Sequence, residues 1–220
     1  MPTLIYEMAH SPFCIPITQM LYASGVQFEK REVPNWDRSD VIRVTGGTYY
    51  QVPVLVHDGR AIFESRSDSQ DVARYVDRTF AGGVLFPKRL DGMQAIVCDF
   101  LENDVEGRTF KLVDPHYIDS IEDVVARTMV VRHKERKFGR GCVEQWRSDA
   151  AALRAEADDL LERFEITLRH SPFIFGEAPV YVDFLLFGII GNLTFRGFNR
   201  LGEGQGALAA WNERMRGLRL

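Results

Sequence analysis

Cysteine is scarce in this 220-residue chain, and the three present, Cys14, Cys98 and Cys142, are odd in number and far apart. That excludes a disulfide framework, and no pair has the spacing of metal ligands. The five histidines, His10, His57, His116, His133 and His170, are scattered without an HxxxH or HExxH arrangement, so no metal is expected. Long apolar runs are missing as well. The longest candidate, Phe184 to Leu193, is interrupted by glycine and Asn192 and falls well short of the ~20 residues of a membrane-spanning helix. Met1 to Glu7 lacks the basic head and apolar stretch of a secretory signal. The expectation is a cytoplasmic protein with no membrane partner. Positive charge is not in excess either. The formal net charge is -4, which gives no bulk attraction to nucleic acid.

What is present is an ordinary globular composition, 45% hydrophobic and 26% charged, in a chain long enough to bury one large or two modest cores. The first eighty residues alternate strand and helix patterns. Thr3 to Glu7 reads as a strand; Phe13, Ile17, Met20 and Leu21 recur at helical spacing up to Gly25. Val26 to Glu29 alternates as a second strand, and a short helix is expected over Arg38 to Val44. Val52 to Val56 and Ala61 to Glu64 form a hairpin, because Asp58-Gly59 supplies the positive φ angles such turns need. Val72, Tyr75, Val76 and Phe80 mark another helix. The order β-α-β-α-β-β-α implies a mixed four-stranded sheet, parallel where a long connection joins strands and antiparallel at the hairpin. Residues 81–88 read as a linker. Beyond it helices are expected over Leu90 to Leu112, Ser120 to Phe138, Trp146 to Arg169, Asp183 to Phe195 and Ala207 to Leu218.

Three local features carry chemistry. His10-Ser11-Pro12-Phe13-Cys14 lies between the first strand and first helix. Gln51-Val52-Pro53-Val54 opens the third strand, and Phe63-Glu64-Ser65 leads into the third helix. Each has a plain structural reading. Ser11 can cap its helix, Cys14 can be a small buried residue, and Pro53 can start an edge strand in the trans form. Ser65 with Asp68 can form a variant capping box. Taken in this order and these contexts, the features resemble the cytosolic glutathione transferase family, over essentially the whole chain. The Ser-Pro-Phe turn is similar to its serine-type members.

The resemblance implies a thioredoxin-like α/β domain over residues 1–80 and an all-α helical domain over 89–220. It implies glutathione as co-substrate and a homodimer. Ser11 would be the catalytic residue, its hydroxyl hydrogen-bonding the glutathione sulfur and favouring the nucleophilic thiolate, helped by the start of the first helix. Ser11, Phe13, Gln51, Val52, Pro53, Glu64 and Ser65 would hold glutathione. A cis Pro53 would leave the Val52 N–H and C=O to pair with the cysteinyl unit like an added strand. Glu64 would face the γ-glutamyl ammonium, with Ser65 and nearby helical N–H groups at its carboxylate. Trp36, Arg38 and Gln51 are candidates for the glycine end. A small hydrophobic electrophile would sit between the domains, with Met8, Phe13, Phe100, Asp104, Phe110, Tyr117 and Phe195 as expected lining.

Two other readings remain open at this point. Cys14 forms Ser-x-x-Cys with Ser11, a redox motif without its leading thiol, and could act in glutathione-dependent thiol–disulfide exchange. The chain could also be a non-catalytic ligand- or protein-binding module of the same fold. Two positions depart from the family pattern: Asp68 stands where a hydrophobic residue is usual, and Val180 where a capping hydroxyl precedes Asp183. Asp183 is expected to cap a core helix. The basic run from Arg132 to Lys137 reads as a solvated face or, less simply, as a site for an anionic partner.

Overall fold

The computed structural model describes residues 3–64 and 69–220. Its first strand, β1 (Thr3–Glu7), is central in a four-stranded sheet of order β2-β1-β3-β4. Strand β2 (Phe28–Glu32) runs parallel to β1, with Thr3 opposite Phe28. Between them α1 (Cys14–Ala23) makes the crossover. Strand β3 (Val54–His57) is antiparallel to β1, with Leu4 opposite Val56, and β4 (Arg60–Ile62) returns beside it. The hairpin turns where Asp58 (φ 48°) and Gly59 (φ 75°) both take left-handed conformations, as its Asp-Gly pair requires. Helices α2 (Ser39–Val44) and α3 (Asp71–Phe80) complete the thioredoxin-like domain.

Strand β2 sits two residues later than its apolar alternation suggests. It is an edge strand, so its outward side chains are solvated, and its sequence Phe-Glu-Lys-Arg-Glu is almost wholly charged. Pairing with β1, not burial, sets its bounds.

The helical domain begins with one long rod. Helix α4 (Asp91–Phe100) passes through a π-helical turn (Leu101–Val105) into α5 (Glu106–Asp119). Helix α6 (Val124–Phe138) starts later than Ser120 because the Asp123 carboxylate accepts the Ala126 N–H at 2.6 Å and caps it there. The helix expected from Trp146 to Arg169 is two. Helix α7 (Cys142–Ser148) breaks at Asp149, and α8 (Ala150–Leu168) follows. Trp146 belongs to α7, where it packs edge-on against Phe110. Helices α9 (Tyr181–Leu193) and α10 (Gly206–Arg216) close the domain, with Phe184, Leu185, Leu186 and Trp211 fully buried. Asp183 is also fully buried. Its carboxylate accepts N–H bonds from Val180 (3.0 Å), Ile174 (3.0 Å) and the Trp211 indole (3.1 Å), so it caps α9 without a hydroxyl at Val180. Among the described residues no helix is long and apolar enough to cross a membrane.

Candidate functional site

The turn from β1 to α1 is held by its own main chain. Ser11 N–H donates to the Met8 carbonyl at 2.9 Å, and the Ser11 carbonyl accepts from Cys14 and Ile15 at 3.1 Å. The Ser11 hydroxyl oxygen also accepts the N–H groups of Phe13 and Cys14, each at 3.3 Å. Ser11 therefore caps the helix start, as the plain reading has it. These bonds use its lone pairs; the O–H is its remaining donor, with the Cys14 sulfur within reach of it. Ser11 itself is 6% exposed.

Cys14 has no solvent exposure at all. Burial, reinforced by Glu7 and Glu32, pushes its thiol up to about 12, and its contacts with Ser11 and the Met8 backbone offset only part of that. At neutral pH such a group is a thiol, not the thiolate that disulfide exchange requires.

Beside this turn lies a cleft of about 570 Å³. Phe13, Gln51, Val52, Pro53 and Glu64, which lie far apart in the chain, all line it. The Val52–Pro53 peptide is cis. The Val52 N–H and C=O make no hydrogen bond among the described residues, since β3 pairing begins only at Val54. Glu64 reaches the start of α3, where its carboxylate accepts the Asp71 N–H at 2.8 Å. Ser65, and the departure at Asp68, lie outside the described residues.

Several lining residues carry no sequence signal of their own. Tyr49 and Tyr50 precede the Gln-Val-Pro segment, and Tyr49 stacks on Phe63 with centroids 5.0 Å apart. Glu102, from the π-helical turn of the other domain, accepts from Gln70 at 2.5 Å at the far end of the cleft. Tyr181, at the start of α9, lines it too. The first two could have been found from their neighbours. The last two are brought in only by domain packing.

Comparison with known families decides what this arrangement belongs to. Residues 5–83 match the glutathione S-transferase N-terminal domain, and residues 117–218 match the C-terminal domain. The chain belongs to the glutathione S-transferase family. It is 25% identical over 211 residues to a probable glutathione S-transferase of Oryza sativa subsp. japonica, covering 94% of this chain and 80% of that one. A probable glutathione S-transferase of Nicotiana tabacum is 33% identical over 79 residues, 36% of this chain and 34% of the other. Among solved structures, a glutathione S-transferase of Ceriporiopsis subvermispora in complex with glutathione superposes with TM-score 0.79 at 18% identity, covering 98% of both chains. Glutaredoxin 2 of Salmonella typhimurium in complex with glutathione gives TM-score 0.74 at 21% identity, covering 97% and 92%.

In this family member the expected second-substrate lining divides. Tyr117 of α5 stacks on the His10 ring at 4.0 Å, and Phe195 lies 5.6 Å from the same ring. Asn35 bonds His10 Nε2 at 3.2 Å and accepts from Arg38 at 2.9 Å. Met8 is half-buried at the foot of the turn. Tyr117 and Phe195 thus meet the first domain at the His10 ring, one residue before Ser11, whereas Met8 packs against that domain's own Cys14 and Val52 cluster. The remaining three have these surroundings. Phe110 is core, packed between Phe138 and Trp146. Phe100 packs near Phe164 and lines a separate cavity of about 430 Å³ on the helical domain. Asp104 faces Arg108 at 3.7 Å, a partner one helical turn along the same rod. Helical periodicity shows that a residue is apolar and on a face, but not which neighbour that face meets. Of the glycine-end candidates, Gln51 lines the cleft, Trp36 is 44% exposed, and Arg38 keeps a buried Nη1 with no partner among the described residues.

Proposed function

We propose that the protein binds glutathione in the 570 Å³ cleft and conjugates its thiolate to a small hydrophobic electrophile. The observation that carries this reading is the Val52 main chain, without a hydrogen-bond partner among the described residues, in the cleft beside the Ser11 turn. A buried or half-buried N–H and C=O without partners is costly unless something supplies them, and an extended tripeptide does so strand-fashion. Glu64 lies where the γ-glutamyl ammonium would meet a carboxylate. The orphan Arg38 Nη1 suits the glycine carboxylate. Ser11 donates to the sulfur while its oxygen accepts from the helix start, so both bonds favour negative charge on sulfur. The reading extends to a homodimer acting in the cytoplasm, and to division at the linker 81–88, between the end of α3 at Phe80 and the start of α4 at Asp91.

The thiol–disulfide alternative is disfavoured by the full burial of Cys14 and its raised thiol. The test is calorimetric titration with glutathione, followed by conjugation of an activated aryl chloride. Saturable binding with glutathione-dependent product supports the proposal. Binding without turnover on any electrophile class would leave a binding module, and no binding at all would remove glutathione from the account.

A further inference from the structure

The turn that carries Ser11 is gripped from the opposite domain by one face of α9. Gly188, Gly191 and Asn192 are spaced i, i+3, i+4 and so share a face. A Cβ at Gly188 would stand 2.3 Å from the Pro12 carbonyl oxygen and 2.5 Å from the Pro16 ring, so only glycine lets the helix approach this closely. A Cβ at Gly191 would stand 3.1 Å from the Ile15 side chain. Asn192, 3% exposed, donates its Nδ2 to the His10 carbonyl at 2.6 Å, across 182 residues of chain.

The two carbonyls this face meets flank Ser11 on either side: that of His10 accepts the Asn192 hydrogen bond, and that of Pro12 packs against Gly188. The Asn192 amide makes no other hydrogen bond, and its Oδ1 is buried without a partner among the described residues. A buried amide with one end unsatisfied is an expensive way to fill space that leucine would fill. Its single bond is therefore the reason for it. On the other side of the same turn the His10 ring is clamped between Tyr117 and Asn35.

We infer that Asn192 and Gly188 are positioning residues, through which the helical domain fixes the Ser11 hydroxyl against the glutathione sulfur. This rests on the glutathione reading above. Loosening either contact lets the turn shift, weakens the hydrogen bond to sulfur, and returns the thiol toward its free acidity.

The experiment is the pH profile of kcat/KM for glutathione conjugation by the wild type, Asn192→Leu, Gly188→Ala and Gly191→Ala, each normalised to folded protein by circular dichroism. For Asn192→Leu and Gly188→Ala the profile is expected to move up by about one pH unit, so that rates fall about 10-fold near pH 6.5 and converge with wild type near pH 9. Gly191→Ala, which meets only the Ile15 side chain and at 3.1 Å or more, is expected to move it less. A loss of rate that is equal at every pH would show a merely structural role and overturn the inference, as would unchanged profiles. Should Asn192→Leu or Gly188→Ala fail to fold, Asn192→Ala, which removes the bond to the His10 carbonyl without adding bulk, carries the same test. A wild type that shows no glutathione-dependent rate at any pH would overturn the glutathione reading itself, which the variants' profiles cannot mimic.

Discussion

At the residue scale, the cap that Ser11 makes and the role proposed for it at sulfur can be separated by measurement. Its oxygen caps α1 through Phe13 and Cys14, and under the proposed function its proton turns to the sulfur. Ser11→Ala is expected to lower kcat/KM about 10- to 100-fold at neutral pH, the worth of a hydrogen bond to a charged group. It should also cost about 1 kcal/mol of stability from the lost cap, read in urea unfolding. A stability loss alone would make Ser11 only a cap. Glu64→Gln keeps an acceptor for the Asp71 N–H but loses the charge facing the ligand. Calorimetry should show glutathione affinity reduced about 10-fold or more with little change in melting temperature.

Glu106 offers a pH test outside the cleft. Burial pushes its carboxyl up to about 7, with Asp114 and Glu102 acting in the same direction and Lys134 and Lys137 against it. The native chain thus keeps a proton that the unfolded chain releases between pH 4.5 and about 7. Stability from this group is present below that window and lost as pH rises through it. Glu106→Gln removes the slope. Its stability relative to wild type, from denaturant melts between about pH 5 and about pH 8, should grow with pH to roughly 3 kcal/mol and then level. A pH-independent difference would contradict the assignment.

At the scale of elements, local chemistry was legible where it is local. The Asp-Gly hairpin, β1 and the span of α3 follow from turn residues and periodicity. The start of α6 was misplaced because Asp123, three residues inside the expected helix, is its cap. The break at Asp149 was missed because apolar spacing runs on across it from Trp146 to Leu153. Asp183 is the element whose removal should be felt most. Asp183→Ala leaves the Val180, Ile174 and Trp211 N–H groups buried without an acceptor. The expected loss is roughly 3 kcal/mol or more in denaturant unfolding. A loss below about 1 kcal/mol would mean that α9 is anchored by packing alone.

At the scale of the whole molecule, the part of the candidate cleft built from contiguous motifs is legible in the sequence and the part built by docking is not. Phe13, Gln51, Val52, Pro53 and Glu64 line the cleft from short segments whose turns and strands announce themselves, while Ser11, nearly buried, lies in the turn beside it and not on its lining. Glu102, Tyr181 and Asn192 come from helices that look like any other amphipathic or buried helix until they meet the first domain. For the same reason periodicity could not show that Phe100 faces a separate cavity and that Phe110 packs with Phe138 and Trp146. Apolar patterning states that a face is covered, while the identity of the cover is a long-range fact.

The most direct test is the crystal structure of the protein soaked with glutathione. Density should show the cysteinyl N–H and C=O paired with Val52 at about 2.8–3.1 Å, and the sulfur within about 3.5 Å of the Ser11 hydroxyl. A tripeptide seated elsewhere, or one in the cleft with its sulfur turned away from Ser11, would contradict it.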